Sequence, residues 1–284
     1  MLKQRIITAV ILAAAFFGAL FGLSSIHFAV LMMVALVTAS WEWAQLSGLA
    51  KGATIAFCAV VLAAEFALLH YIGFDQTTGF RAMPPVVIIC GLASVFWIVI
   101  APLWLKNEWS TRGAAAMSAI GVVLLVAVWV AMAQLHARSP WLLVAVMLIV
   151  WLADTAAYFS GRKFGRRKLA PTISPNKSWE GVYGGLISVV IYAMLVVTLS
   201  SLSSLSSLST QPMAVRVAIV VVALLLGGIS VVGDLFESLM KRQAKVKDSG
   251  HTLPGHGGVL DRIDAQLPVL PIATLATLAL TRLS

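Results

Sequence analysis

The sequence predicts an all-α, polytopic integral membrane protein with about nine transmembrane helices and a cytoplasmic N-terminus. Two features of the composition predict this class: 60% of the 284 residues are apolar, and only 11% are charged. Soluble globular domains contain about 25% charged residues, so the composition excludes a cytosolic enzyme, a disordered protein and a secreted disulfide-bonded domain. Because one helical span uses about 20 residues, the chain has room for roughly eight to ten spans.

Apolar stretches long enough, or nearly long enough, to cross a bilayer recur along the chain. The first follows Lys3 and Arg5, as in a signal peptide, but it is long for one and no A-x-A cleavage site follows. We interpret it as an uncleaved first span. The nine predicted spans are 6–23, 26–46, 53–72, 86–105, 114–134, 141–160, 181–199, 215–233 and 266–283.

The distribution of basic residues predicts the orientation of these spans. With the N-terminus inside, sixteen of the twenty Lys and Arg residues fall in inner segments, and four fall elsewhere: Arg81, Arg138, Arg216 and Arg282. Cytoplasmic segments of membrane proteins are enriched in Lys and Arg, which favours an N-terminus inside and a C-terminus outside. The same enrichment explains the net charge of +9, and no nucleic acid is expected as a partner.

Acidic residues divide the chain into two predicted parts. The first 150 residues contain four of them and the remainder contains seven. We therefore interpret residues 1–140 as a transmembrane scaffold of about five helices, and residues 141–284 as a catalytic membrane domain of about four helices. The second part has cytoplasmic loops at 161–180 and 234–264, and the Ser/Leu-rich tract 200–210 between them is expected to be a tolerant outer loop.

The predicted loop 234–264 has the composition of a site for a metal ion and a polyphosphate. It contains five carboxylates, five Lys or Arg residues and two His residues. Carboxylates without thiolates favour hard cations such as Mg²⁺, and Lys and Arg beside them suit phosphates. Asp261 and Asp264 are expected on one helical face, and glycines at 255, 257 and 258 let backbone amides approach an anion. The alternative is a solvated loop held by ion pairs such as Glu237 with Lys241.

The other predicted inner loop adds an anion site and an intramembrane acid. Asp154 lies within a span, where a carboxylate indicates a functional site unless a neighbouring hydroxyl binds it. Ser174-Pro175 is typical of a helix start, whose amides, with Lys177, could bind a phosphate. The basic residues of this loop are expected to set topology and contact anionic headgroups: Arg162, Lys163, Arg166, Arg167 and Lys168.

The remaining features do not indicate a second site. Trp41-Glu42-Trp43 is interpreted as an interfacial aromatic anchor. The chain lacks the GxxxxGK[ST], GxGxxG and HExxH patterns, which excludes P-loop, Rossmann and zinc-protease sites.

The segment 238–264 resembles the signature of the phosphatidate cytidylyltransferase family, also called CDP-diacylglycerol synthases. The resemblance covers 27 positions and includes every constrained one. Two upstream segments, 154–162 and 174–178, resemble further blocks of the family, whereas residues 1–150 resemble it only in span number and in the Trp-Glu-Trp sequence. The Ser/Leu-rich tract departs from the family pattern and leaves the role of that loop open.

The resemblance implies transfer of a cytidylyl group from CTP to phosphatidic acid, giving CDP-diacylglycerol and pyrophosphate, with Mg²⁺ as cofactor. It places the protein in a bacterial inner membrane with its site facing the cytoplasm. We assign Lys241, Arg242 and Lys247 to the triphosphate and Lys177 to the lipid phosphate, with His256 as a leaving-group donor or an orienting residue. The complete set is Asp234 and Asp261 for the metal; Lys241, Arg242, Lys247, Asp248, His256, Arg262 and Asp264 for catalysis; and Asp154, Ser174, Lys177, Ser238, Gly257 and Gly258 for substrate binding.

Two other classes of function remain open at this point. A transporter would use Asp154 as an ion relay, but no matching halves are present and charge is collected on one face. A CTP-dependent lipid kinase would use similar cations and a metal. The sequence leaves open whether a monovalent ion accompanies Mg²⁺ and whether the chain is a homodimer.

Overall fold

A computed structural model describes residues 2–81, 83–199, 212–253 and 255–280. The all-α prediction is confirmed, since the described residues form helices with two short hairpins. The helices are α1 Leu2–Gly22, α2 Ser25–Leu46, α3 Lys51–Ala67, α4 Met83–Val95, α5 Ala101–Asn107, α6 Ala114–Arg138, α7 Pro140–Phe164, α8 Trp179–Leu199, α9 Met213–Gln243, α10 Leu260–Ile263 and α11 Gln266–Leu280. One π-helical turn, Leu68–Ile72, extends α3, and another, Phe96–Ile100, joins α4 to α5.

Seven helices within the described ranges are long and apolar enough to cross a membrane. They correspond to the second through eighth predicted spans. The first and ninth stretches form shorter apolar helices, Ile7–Gly22 and Gln266–Leu280. The Ser/Leu-rich tract 200–210, Pro254 of the motif and Arg282 lie outside the described residues.

Helix α6 is the most buried of the candidate spans and organises the core. It packs against α2, α3 and α4 of the first half and against α7 and α11 of the second. Two tryptophan hydrogen bonds connect α2 to α6. Trp43 Nε1 donates to the Met117 carbonyl and Trp129 Nε1 donates to the Ala29 carbonyl, each at 2.9 Å. Gly121 leaves the space that the Trp43 ring occupies. The two predicted parts are thus in extensive contact.

Helices α7, α8 and α9 pack together to form the framework of the charged end of the bundle. Helix α8 approaches α7 closely through its glycines. A Cβ at Gly181 or Gly185 would clash with a backbone carbonyl oxygen of α7. Helix α9 continues to Gln243, so the predicted loop 234–264 begins as three further helical turns. We call the remaining connection, residues 244–265, the motif loop.

The segment after α7 corrects one sequence prediction. Ser174-Pro175 does not begin a helix, because Ser174–Ser178 is a strand paired antiparallel with Lys168–Ala170. The helix begins at Trp179, and Ser178 Oγ accepts a hydrogen bond from the Gly181 amide at 3.2 Å. A Ser-Pro pair is compatible with a helix start and with an edge strand, and the strand forms here because Lys168–Ala170 supplies an antiparallel partner. We call residues 168–178 the inner hairpin.

The connection between α3 and α4 forms the second hairpin, Phe74–Asp75 with Gly79–Phe80. Asp75 Oδ1 accepts hydrogen bonds from the hydroxyls and amides of Thr77 and Thr78, at 2.7 to 3.2 Å. These bonds hold the pKa of Asp75 well below its usual range. The Asp75 carboxylate therefore stabilises the turn of this hairpin.

Candidate functional site

A cavity of about 640 Å³ lies among α7, α8, α9 and the inner hairpin. Four predicted site residues line it together: Asp154, Ser174, Lys177 and Asp234. Lys177 Nζ lies 2.5 Å from Asp234 Oδ2, and the hydroxyl of Ser238 donates to Asp234 Oδ1 at 3.3 Å. The fold thus brings the two predicted loops into one site. The remaining lining includes Ala153, Ala157, Val182, Leu186 and Val231, which make the cavity partly apolar.

A second cavity, of about 670 Å³, lies within the motif loop. Its lining is polar and contains five predicted site residues: Lys247, Asp248, His256, Gly257 and Arg262. Gly257 has a positive φ of 80°, which side chains rarely adopt, and a Cβ there would lie 2.6 Å from an oxygen of Asp261. Glycine is therefore required where the loop turns over this aspartate.

A row of buried charges connects α9 to the motif loop. Lys241 Nζ lies 2.5 Å from Glu237 Oε2 and 2.7 Å from Asp261 Oδ1. The other oxygen of Asp261 accepts hydrogen bonds from the amide and hydroxyl of Ser249, at 2.8 and 2.9 Å, and from the Gly258 amide at 2.8 Å. Burial alone would raise the pKa of Asp261, but these hydrogen bonds and the Lys241 charge lower it to about 2. Asp261 is thus held ionised, and the ion pair of Glu237 with Lys241 is confirmed.

Two carboxylates at this end fit a divalent cation. Burial raises the pKa of Asp264 above its usual range, and the negative charge of Asp234 raises it further. A Cβ at Gly233, the neighbour of Asp234, would lie 2.5 Å from the Asp264 carbonyl oxygen, so the fold places the two aspartates close together. Within the ranges that the structure describes, no three His, Cys, Asp or Glu side chains form a complete ligand set, but Mg²⁺ commonly binds one or two carboxylates plus water and substrate phosphates. Asp234, Asp261 and Asp264 all accept from protein donors in this structure, so a bound cation would replace some of those donors, and the predicted pair Asp234 and Asp261 remains a prediction.

Arg242 and Gly258 have structural contacts that the sequence did not indicate. Arg242 Nε donates to the Ile173 carbonyl of the inner hairpin at 3.2 Å, and the side chain lines neither described cavity. Gly258 is buried, and its amide donates to Asp261. Their assignments to the triphosphate and to substrate binding remain predictions.

Glu42 is a site residue that sequence analysis missed. It is only 1% exposed, and its carboxylate accepts hydrogen bonds from four residues of the motif loop: Ser249, Thr252, Val259 and Leu260. Interpreting Trp41-Glu42-Trp43 as an interfacial anchor is wrong for Glu42 and Trp43, since both lie in the protein interior. The available signal was the cost of burying a carboxylate in an apolar helix.

The fold and this site define a class: an all-α integral membrane protein whose carboxylates, lysines and glycine loop are gathered at one end of the bundle. A profile of the family described as "Cytidylyltransferase family" matches residues 3–280. The chain belongs to that family, and it is a nucleotidyltransferase.

Curated relatives agree along nearly the whole length. The chain is 40% identical to a phosphatidate cytidylyltransferase of Pseudomonas aeruginosa over 278 residues, covering 96% of this chain and 95% of that protein. It is 34% identical to the phosphatidate cytidylyltransferase of Haemophilus influenzae, covering 95% and 96% respectively. It is also 34% identical to that of Thermotoga maritima, covering 96% and 94%. The similarity therefore includes both halves of the chain, beyond the motif loop.

Proposed function

We propose that this protein transfers the cytidylyl group of CTP to the phosphate of phosphatidic acid, giving CDP-diacylglycerol and pyrophosphate. One observation carries the proposal: a partly apolar cavity adjoins the Lys177–Asp234 ion pair, a polar glycine-lined cavity adjoins the Lys241–Asp261 ion pair, and α9 carries both Asp234 and Lys241. Asp234 lines the first cavity. Asp261 accepts a hydrogen bond from the Gly258 amide, and the preceding residue, Gly257, lines the second cavity. Such a site suits one lipid and one water-soluble substrate.

The proposed chemistry needs positioning and charge neutralisation more than a strong base. A phosphate monoester has a second pKa near 6 and is largely doubly ionised at neutral pH. Its oxygen forms a bond to the α-phosphorus of CTP, while the bond from that phosphorus to the pyrophosphate oxygen breaks. The two reacting groups are both anionic, so cationic side chains must hold them together.

In this proposal each cavity binds one of the two substrates. Lys177 binds the lipid phosphate in the first cavity, and Lys247 and Arg262 bind the triphosphate in the second. Lys241 holds Glu237 and Asp261 together, which leaves one of the three donors of an ammonium for a phosphate oxygen. His256 orients the leaving pyrophosphate or donates to it.

A Mg²⁺ ion, the proposed cofactor, would be held by the predicted ligands Asp234 and Asp261, or by Asp234 with Asp264. When bound, it neutralises charge on the transferred and leaving phosphates.

The assay that tests this function uses purified protein, labelled CTP and phosphatidic acid in detergent or vesicles. Label in the lipid fraction as CDP-diacylglycerol, with release of pyrophosphate, would support the proposal. A phosphorylated lipid with release of CDP would identify a lipid kinase instead. Absence of any CTP-dependent lipid product would contradict both.

The proposed topology places the charged end in the cytoplasm of a bacterial cell and makes a separate prediction. Reporter fusions after Arg138 and within 200–210 should be external, and fusions within 162–170 should be internal, because basic residues concentrate in the latter. The measurement is paired alkaline phosphatase and fluorescent-protein activity at each position. An internal signal from the Ser/Leu-rich tract would contradict the nine-span arrangement.

A further inference from the structure

We infer that Glu42 is a positioning residue for cytidylyl transfer, because its carboxylate fixes the motif loop and, through Ser249, the Asp261 carboxylate. This inference depends on the proposed function for its kinetic consequences but not for its structural ones. Glu42 belongs to α2, in the half of the chain predicted to be scaffold. Glu42 would therefore connect the first half of the chain directly to the motif loop of the proposed active site.

The contacts of Glu42 require a carboxylate. Oε1 accepts from the Thr252 hydroxyl at 2.8 Å and the Val259 amide at 3.0 Å. Oε2 accepts from the Leu260 amide at 2.7 Å and the Ser249 hydroxyl at 3.1 Å. Each oxygen thus accepts a backbone N–H and lies within hydrogen-bonding distance of a hydroxyl. A glutamine would place its amide N–H groups against one backbone N–H or the other, whichever way the amide is turned.

The charge of Glu42 is balanced by dipoles. In the described part of the chain, the ion pairs involve Lys177 and Lys241 with other carboxylates. A buried carboxylate is stable when several donors point at it. The same hydrogen bonds hold the donating residues of the motif loop in place, so Glu42 orders the loop.

The loop glycines fit this carboxylate closely. A Cβ at Gly250 would lie 2.6 Å from Glu42 Oε1, and a Cβ at Gly258 would collide with Oε2. The backbone therefore passes directly over the Glu42 side chain at both positions. Two glycines of the motif are explained by a contact to α2.

Ser249 connects Glu42 to Asp261. Its hydroxyl lies 3.1 Å from Glu42 Oε2 and 2.9 Å from Asp261 Oδ2, and it accepts the Asp261 amide at 3.3 Å. A hydroxyl has one hydrogen, so Ser249 donates to one of the two carboxylates at a time, and the shorter distance favours Asp261. Asp261 in turn binds Lys241, which completes a path from α2 to α9.

The test compares Glu42→Gln with Glu65→Gln. Glu65 is also fully buried in the first half, but neither of its carboxylate oxygens has a hydrogen-bond partner among the described residues, so its substitution removes no contact to the motif loop. Glu42→Gln loses the hydrogen bonds on one carboxylate oxygen, and hydrogen bonds to a charged group are among the strong ones. Their loss should lower kcat/KM of Glu42→Gln by on the order of a hundredfold or more, while Glu65→Gln remains near wild type.

Two readouts separate positioning from general destabilisation. Hydrogen exchange of peptides covering 246–262 should accelerate in Glu42→Gln, with exchange in α6 and α7 unchanged. A double-mutant cycle should show coupling of Glu42→Gln with Ser249→Ala, which touches Asp261, that exceeds its coupling with Thr252→Ala, which does not. Glu42→Asp, which keeps the charge, should recover part of the activity.

The outcomes are distinguishable from failure of the proposed function. Wild-type protein without CTP-dependent activity would overturn the function, while the exchange measurement would still test the loop. Wild-type activity and wild-type exchange in Glu42→Gln would overturn the inference. If that variant does not fold, Glu42→Asp must still show faster exchange in 246–262, and unchanged exchange there would overturn it equally.

Discussion

Asp261→Asn is expected to lower turnover by at least about a hundredfold while leaving the protein folded and inserted. One oxygen of Asp261 binds Lys241, and the other accepts three donors from Ser249 and Gly258. An asparagine amide must turn its NH₂ group toward one of these sets, so at least one set of contacts is lost. The damage should be limited to the motif loop and to the end of α9 that carries Lys241, since Asp261 itself lies outside the candidate spans. Steady-state kinetics with CTP and phosphatidic acid measure the effect.

Asp75→Asn is the matched control for this substitution. All four hydrogen bonds given for Asp75 end on Oδ1, so an asparagine with its carbonyl in that place retains them. Both variants should be recovered as folded protein in detergent, and Asp75→Asn should have wild-type thermal stability and turnover. Near-normal turnover in Asp261→Asn at ordinary Mg²⁺ would remove Asp261 from the site.

Lys177→Ala is expected to raise the KM for phosphatidic acid by roughly ten- to a hundredfold, and the KM for CTP much less. Lys177 lines the partly apolar cavity beside Asp234. Lys247→Ala should have the reverse effect, because that side chain is exposed in the polar cavity of the motif loop. Lys247 is the better partner for this comparison than Lys241, whose removal would leave two buried carboxylates without their counter-charge.

Initial rates over a matrix of both substrate concentrations separate the two KM values. If both variants lose affinity for CTP alone, both cavities bind the nucleotide and the division is wrong. A fall in kcat with both KM values unchanged would mean that the contact forms only in the transition state, which also contradicts a role in ground-state binding of the lipid.

Hydropathy was sufficient to predict the seven candidate spans, the second to the eighth of the nine predicted, because an apolar helix is the stable form of such a segment in a bilayer. The predicted stretch 53–72, for example, became Lys51–Ile72. The polar end of α9 was not predicted, because its helical pattern continues past Asp234 to Gln243, where Glu237 and Lys241 pair one turn apart. Hydropathy measures the membrane boundary and carries no information on where a helix ends beyond it.

The site was predicted as a set of residues but not as a set of contacts. Local chemistry indicated Asp154, Lys177 and Asp234, and the fold places them around one cavity. The pairing of Lys177 with Asp234 spans two loops, and sequence spacing gives no measure of such a distance. Glu42 was missed for the same reason, since its four partners lie 207 to 218 residues away.

That separation has a consequence for the synthesis of the protein. Chains are synthesised at about 5–20 residues per second, so Glu42 leaves the ribosome roughly 10–40 s before the motif loop that binds it. During this interval the Glu42 carboxylate, near the end of α2, lacks the donors that it later binds and must remain hydrated. Complete insertion of α2 into the final bundle would therefore wait for the last part of the chain, and a ribosome stalled before residue 249 would present the early helices in an unfinished arrangement to membrane proteases.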